Sequence, residues 1–146
     1  MTITFSPIQD TWEWQSHQIG WSLMGDPAAP PVAVLLIHGF GANTHHWRFN
    51  QPVLAELAPT YAIDLLGFGR SDQPRARLKQ EASDHTAVHY SFDLWGQQVA
   101  DFCREVIDKP VILVGNSIGG VVALRAAQLL GSDACKRVVL IDCAQR

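Results

Sequence analysis

Four short apolar runs constrain this chain more than anything else in it. Residues 32–37, 61–66, 111–114 and 137–141 are each almost wholly apolar. Strands that read this way are buried on both faces, as in a parallel sheet; an antiparallel strand with one wet face would alternate. Helical patterns lie between the runs. Behind Ser91, an N-cap residue type, Phe92, Trp95, Val99, Phe102 and Val106 recur at spacings of three, four, three and four, and Lys109-Pro110 stops the pattern. Residues 118–130 read as a helix rich in Gly and Ala on one side, with Gly131 placed to end it. Residues 43–58 read as a third helix, regular from about Gln51 because Pro52 fits only a first turn. Strands alternating with helices predict an α/β class: a mostly parallel, doubly wound sheet with ligand sites at the carboxyl ends of its strands. Ahead of it, the Trp-rich residues 11–15 and 18–24 read as an antiparallel hairpin turning at Ser16-His17. Residues 25–31 are a loop by composition, and residues 73–90 form a polar, aperiodic surface loop.

Composition narrows the function classes. A chain of 146 residues allows one domain, and 47% hydrophobic with 17% charged residues is globular. A net charge of −3 and the lack of any Lys/Arg run give no footprint for nucleic acid. The longest apolar run, residues 31–37, is far short of the roughly 18 residues a membrane span needs. Residues 1–10 hold no basic charge and no apolar signal core, so a cytoplasmic location is expected. Cys103, Cys135 and Cys143 are odd in number and widely spaced, and are expected to be reduced. Nothing has the spacing of a zinc site or a P-loop, so no metal or organic cofactor is expected.

The strand ends carry the chemistry. Gly115-Asn116-Ser117-Ile118-Gly119 matches G-x-S-x-G and stands between a predicted strand and a predicted helix. A serine on so sharp a turn is lifted clear of the sheet and placed at a helix N-terminus, where unpaired N–H groups favour an anion. Strand and helix then run so close that only glycine fits at Gly115 and Gly119. After the first parallel strand, His38-Gly39-Phe40-Gly41 gives a backbone free to turn an N–H inward. Ser117 is therefore the candidate nucleophile, and the N–H groups of Phe40 and Ile118 the candidate oxyanion donors. The plain alternatives are a glycine-rich turn with a capping serine and a tight strand-to-helix loop.

At these residues the chain resembles the α/β-hydrolase superfamily, in motif order and over nearly its whole length. Residues 38–41 look like the oxyanion loop, residues 64–72 (DLLGFGRSD) like the strand-end motif of the epoxide-hydrolase-like branch, and GNSIGG like the nucleophile elbow. With Trp47, Pro52 and Leu94-Trp95-Gly96, the nearest likeness is to the pheophytinase-like hydrolases of cyanobacteria and plastids. Ser117, rather than an Asp, is similar to the esterase, lipase, thioesterase and C–C hydrolase types. The resemblance implies a small-molecule acyl substrate, and the aromatic residues Phe40, Trp47 and Phe68 near the strand ends point to an uncharged or apolar ester. It casts Asp142 as the candidate acid, Asp64 as organiser of the Gly67-Phe68-Gly69 turn, and His38 as a scaffold of the oxyanion loop.

It also implies a catalytic His after the elbow, and none of the 29 residues beyond Ser117 is His. The six histidines, His17, His38, His45, His46, His85 and His89, all precede it. The expectation is that residues 1–146 are the N-terminal portion of a single α/β-hydrolase domain, cut after about the sixth strand. An apolar edge at Val138, Val139, Leu140 and Ile141 would then be open to self-association. A serine hydrolase lineage leads. A non-catalytic ligand-binding protein or decayed remnant, and a C–C hydrolase or lyase on the same elbow, are the alternatives.

Overall fold

The computed structural model describes residues 6–28, 31–82 and 86–144. A six-stranded sheet runs through them. Strands β1 (Ile8–Trp14) and β2 (His17–Met24) form the antiparallel hairpin, and β2 pairs antiparallel with β4 (Thr60–Ile63). From there β4, β3 (Ala33–Ile37), β7 (Val111–Asn116) and β8 (Cys135–Ile141) are all parallel, giving the order β1-β2-β4-β3-β7-β8. Two-residue strands β5 (Arg75–Ala76) and β6 (Ala87–Val88) pair by themselves. Segment 73–90 is therefore not wholly irregular, as its polarity suggests. The phenol of Tyr90 closes it further by donating to the carbonyl of Pro74 at 2.6 Å.

The alternation along β3 shows how the layers are made. Ala33, Leu35 and Ile37 face the main core, while Val34 and Leu36 face a smaller one. The main core lies under helices α2 (Phe92–Phe102) and α3 (Ile118–Leu130). Ser91 caps α2 by accepting from the Leu94 N–H at 3.0 Å. Beyond Phe102 the helix widens to a π turn, Cys103–Ile107, and Asp108 in the left-handed region (φ 50°) ends it just before Pro110. Phe102 is fully buried and meets the rings of Trp12, Trp21 and Tyr61 at 5.5–6.1 Å, tying α2 to the hairpin. The indoles of Trp12 and Trp14 donate to Glu105 and Asp101, both at 2.9 Å, which gives the Trp-rich hairpin its polar anchor.

Two local readings need correction. The hairpin turns at Gln15-Ser16, both at positive φ (48° and 65°), and His17 already pairs with Trp14. Two residues at positive φ match the right-handed strand twist, which a turn at Ser16-His17 would not. Of the predicted helix over 43–58, the regular part begins at Gln51 with Pro52 in its first turn, as expected, but α1 (Gln51–Ala55) ends three residues early, and Thr44–Trp47 ahead of it is a separate 3-10 turn. Pro52 has no N–H for the carbonyl four residues back, and its ring collides there. Strand β8 is the outermost of the parallel set, and Val139, Leu140 and Ile141 stay 43–45% exposed along it.

Truncating Phe102 to Ala leaves a cavity among three aromatic rings and is expected to cost about 3–5 kcal/mol in urea unfolding. A loss under about 1 kcal/mol would show that α2 does not depend on this contact.

Candidate active site

Ser117 stands between β7 and α3 with φ 56° and ψ −121°, a conformation side-chain-bearing residues rarely adopt. Its surroundings enforce it. A Cβ on Gly115 would lie 2.2 Å from the Gly119 carbonyl oxygen, and one on Gly119 would lie 2.4 and 2.5 Å from the carbonyl oxygens of Ile37 and His38. The end of β8 and the chain just after it complete the clamp: Ser117 N–H donates to Ile141 O at 3.0 Å, and Ala144 N–H donates to Ser117 O at 3.3 Å. Ile118 opens α3, so its N–H is among those a helix leaves unpaired.

The second strand-end peptide meets the elbow. A Cβ on Gly39 would come within 3.2 Å of the Ser117 Cβ, so the backbone of residues 38–41 runs directly beside the serine. Phe40 is 77% exposed, with its ring edge-on to Phe68 at 5.6 Å; Phe68 in turn meets His38 at 5.4 Å and Trp95 at 5.9 Å. These rings form an aromatic shelf over the loops of residues 38–41 and 67–69, the first of which meets Ser117 through Gly39. Trp47, grouped with them in the sequence, is buried in the smaller core on the opposite face of the sheet. Its position in the 3-10 turn after β3 places it in the cluster with Val34, Leu36, Ala62 and Val114, not on the shelf.

Beneath the shelf lies a buried polar scaffold. Asp64, 1% exposed, accepts from the N–H groups of Thr44 at 2.7 Å and Arg70 at 3.0 Å, binding the 3-10 turn to the Gly67-Phe68-Gly69 turn. Gln98, fully buried, accepts from Leu66 N–H at 2.9 Å and donates to Asp64 O at 3.2 Å. The Trp95 indole donates to Leu66 O at 2.9 Å. Sequence reasoning misses Gln98, although a glutamine one residue before Val99 and three after Trp95 breaks the apolar stripe of α2. His38, 1% exposed, has both nitrogens engaged: Nδ1–H donates to Gly39 O at 2.7 Å, and Nε2 accepts from Leu65 N–H at 3.0 Å. Burial lowers its pKa from the ordinary 6.5; the Gly39 carbonyl and Asp64 oppose that shift, and His46 adds to it.

No described histidine is hydrogen-bonded to the Ser117 hydroxyl. His17 lies 4.0 Å from Asp72 beside the hairpin turn, His45 and His46 are exposed on the 3-10 turn, and His89 is exposed after β6. His85 lies outside the described residues. Asp142 follows β8 at positive φ (44°) and is exposed, two residues before the amide that bonds Ser117 O. It is the carboxylate that stands at the end of β8, where that strand meets the elbow. Among the described residues no group of three or more His, Cys, Asp or Glu side chains gathers as a metal site would, and no helix is long and apolar enough to cross a membrane. Two open clefts, one beside Cys103, Lys109 and Asp133 and one beside Arg77, Lys79 and His89, lie away from Ser117. Cys103, Cys135 and Cys143 are free thiols.

Comparison with known proteins agrees with this fold. A family model described as alpha/beta hydrolase fold matches residues 32–143. The chain is 38% identical over 92 residues to 1-acylglycerol-3-phosphate O-acyltransferase ABHD5 of Sus scrofa, covering 63% of this chain and 24% of that protein. It is 35% identical over 132 residues to the chloroplastic pheophytinase of Arabidopsis thaliana, covering 77% and 27%. Among solved structures, a membrane phospholipase A described as a bacterial virulence factor superposes with TM-score 0.76 at 33% identity, over 94% of this chain and 40% of that one. The thioesterase domain from the curacin biosynthetic pathway superposes with TM-score 0.75 at 23% identity, over 97% and 49%, a likeness of fold. The chain thus spans about a quarter of the length of these curated relatives and under half of the solved chains.

Two outcomes follow from the site. Gly119→Ala forces a methyl into two carbonyl oxygens and is expected to cost about 1–3 kcal/mol or more, read as a lowered urea midpoint. Because folding lowers the His38 pKa, the unfolded chain binds more protons below pH 6.5. Stability is therefore whole above that pH and falls as pH drops through the window down to the folded value, by at most about 1.4 kcal/mol per pH unit. His38→Asn should remove this contribution; an unchanged slope between pH 7.5 and pH 5 would assign it elsewhere.

Proposed function

The chain belongs to the α/β-hydrolase fold family, and we propose that it carries the nucleophile and oxyanion half of a serine hydrolase site. One observation carries the reading. Ser117 is held at a strained φ of 56° at the head of α3, with the glycine loop of residues 38–41 in contact beside it. Strain of this kind persists where the surroundings over-determine it, and here they aim a hydroxyl at a helix N-terminus.

In the proposed reaction Ser117 Oγ attacks the carbonyl carbon of an ester or related acyl group. The carbonyl oxygen takes the negative charge, and the N–H groups of Phe40 and Ile118 hold it. The alcohol leaves with the proton given up by Ser117, and water then cleaves the acyl-serine to return the enzyme. The proton needs a base, and none of the described histidines provides one. We assign that role to the part of the hydrolase domain that this chain does not span. Asp142, exposed at the end of β8, is the acid candidate within the chain. The aromatic shelf of Phe40 and Phe68 favours an apolar acyl or alcohol group over a charged one. Relatives named as a phospholipase and a pheophytinase are consistent with bulky apolar esters. An elbow with no base facing it also fits a non-catalytic ligand-binding protein, and the test separates the two.

A fluorophosphonate probe loses fluoride, which needs no proton from a general acid, so its reaction reads the serine and its oxyanion donors without the missing base. With the oxyanion site formed and the base absent, Ser117 is expected to be tagged at least about ten-fold faster in the folded chain than in urea, since oxyanion donors act independently of the base. The rate should climb with hydroxide, and Ser117→Ala should abolish the tag. Labelling no faster in the folded chain than in the unfolded one would overturn the reading in favour of the non-catalytic one.

A further inference from the structure

Segment 73–90 carries a cleft that the proposed reaction does not use, lined by Arg77, Leu78, Lys79, Glu81 and His89. The short ladder of β5 and β6 builds it. Arg75 pairs with Ala87 and Ala76 with Val88, and Arg77 N–H continues the ladder by donating to Val88 O at 2.8 Å. Val88 packs against the main core, so its neighbour His89 turns the other way, and the same register sets Arg77 beside it. A turn then closes the outer end. Glu81 N–H donates to Leu78 O, and Leu78 N–H donates to the Glu81 carboxylate, both at 3.0 Å. Both terminal nitrogens of Arg75 grip that carboxylate as well. The Arg75 bonds first, and the Leu78 N–H second, hold the Glu81 carboxyl down at about 2.

Among the described residues Glu81 is the one carboxylate lining the cleft, and it is committed to Arg75. Arg77 and Lys79 are left without a partner. The other described Arg and Lys side chains, Lys136 apart, reach a carboxylate, a carbonyl or an aromatic ring. The side chains of Arg77 and Lys79 make no hydrogen bond or ion pair with a described residue, although both open into the same concavity. A chain of net charge −3 thus gathers two uncompensated cations in one place. Like charges in one cleft focus the field there and are relieved by a bound anion. The groups suit phosphate in particular. A guanidinium fork matches two of its oxygens, an ammonium adds a point charge, an imidazole N–H adds a further donor, and two cations balance a dianion.

We propose that this cleft is an anion site that takes a phosphate group, held by Arg77, Lys79 and His89. Ser117 does not line it, so the phosphate is an anchor and not the group that reacts. The phosphate has two sources with the same chemistry: a free phosphate ester, or the headgroup of a lipid surface. Leu78, 70% exposed between the two cations, is placed to enter such a surface. The inference stands apart from the serine hydrolase reading, since none of its residues belongs to the elbow.

The test titrates the full 146-residue chain with inorganic phosphate at low, constant ionic strength and follows backbone amides by NMR. Saturable shifts confined to residues 77–81 and 88–89 are expected. The double variant Arg77→Gln with Lys79→Gln should raise the half-saturating concentration at least about ten-fold, while Lys136→Gln, which removes the other unpaired cation, should change it less than about two-fold. Neither variant takes away a side chain that holds another part of the chain, so amides outside the segment should keep their positions. Acetate, a monoanion, should bind at least about five-fold more weakly than phosphate. Vesicles of phosphatidylcholine, with and without about 30% phosphatidylglycerol, separate the two sources. Pelleting with the anionic vesicles, lost in the double variant, identifies a headgroup; saturable phosphate binding without pelleting identifies a free ester. Shifts that stay linear in phosphate, a double variant that binds like the parent, an equal loss in Lys136→Gln, or acetate binding as tightly as phosphate would overturn the proposal. Pelleting without saturable phosphate binding overturns it as well, because charge alone would then draw the segment to the vesicle.

Discussion

Helix α3 approaches the ends of β3 and β7 so closely that no side chain fits between them, and most of the site follows from that contact. A methyl on Gly119 would stand 2.4 Å from Ile37 O, and one on Gly115 would stand 2.2 Å from Gly119 O. The helix can start this tightly only if the residue before it adopts a backbone turned far from the usual regions, and Ser117 does. The same contact brings the loop after β3 alongside the serine. Proximity of Ser117 and the loop of residues 38–41 is thus a by-product of packing density between backbones, and two glycines set it.

A turn held this way is strained, and strain needs a rigid surround. Part of that comes from the main core, where Phe102, Trp95 and Val99 of α2 pack against the sheet. The rest comes from a polar scaffold just under the strand ends. Asp64, His38, Gln98 and the indole of Trp95 satisfy the backbone groups of residues 39, 44, 64, 65, 66 and 70. Backbone that leaves a strand to make a sharp loop loses its ladder partners, and buried groups left unpaired cost about 1–3 kcal/mol each. Side chains replace those partners here, so three loops from β3, β4 and β7 can end in the same small region without a network of regular structure.

Much of this is legible in the amino-acid sequence. The parallel strands, the cap at Ser91, the helix after Ser117 and the glycines of the elbow can be read because each depends on local rules: apolar continuity, capping chemistry, Cβ sterics. The departures also have local causes. In the 43–58 segment Pro52 sets the start of the regular helix at Gln51, as its chemistry dictates, but the helix stops at Ala55 and a 3-10 turn stands ahead of it. The hairpin turns one residue earlier than expected, because neither Gln15 nor Ser16 advertises positive φ as glycine or asparagine would. Nearness to a strand end groups Trp47 with Phe40 and Phe68, yet a residue well into a connection can reach either face of the sheet, and it lies on the other one.

The sequence by itself determined the class of fold and the identity of the candidate nucleophile, because strand burial and the G-x-S-x-G turn are constraints among residues a few positions apart. The tertiary structure alone decided what surrounds Ser117. Gly39 meets it across 78 positions of sequence. His38 gives both nitrogens to backbone 1 and 27 positions away and so is unable to act as a base. These are facts about which strands lie side by side and which way a ring and a peptide plane are turned. No spacing along the chain encodes them, because they arise only when separate strands bring distant backbone into hydrogen-bonding distance.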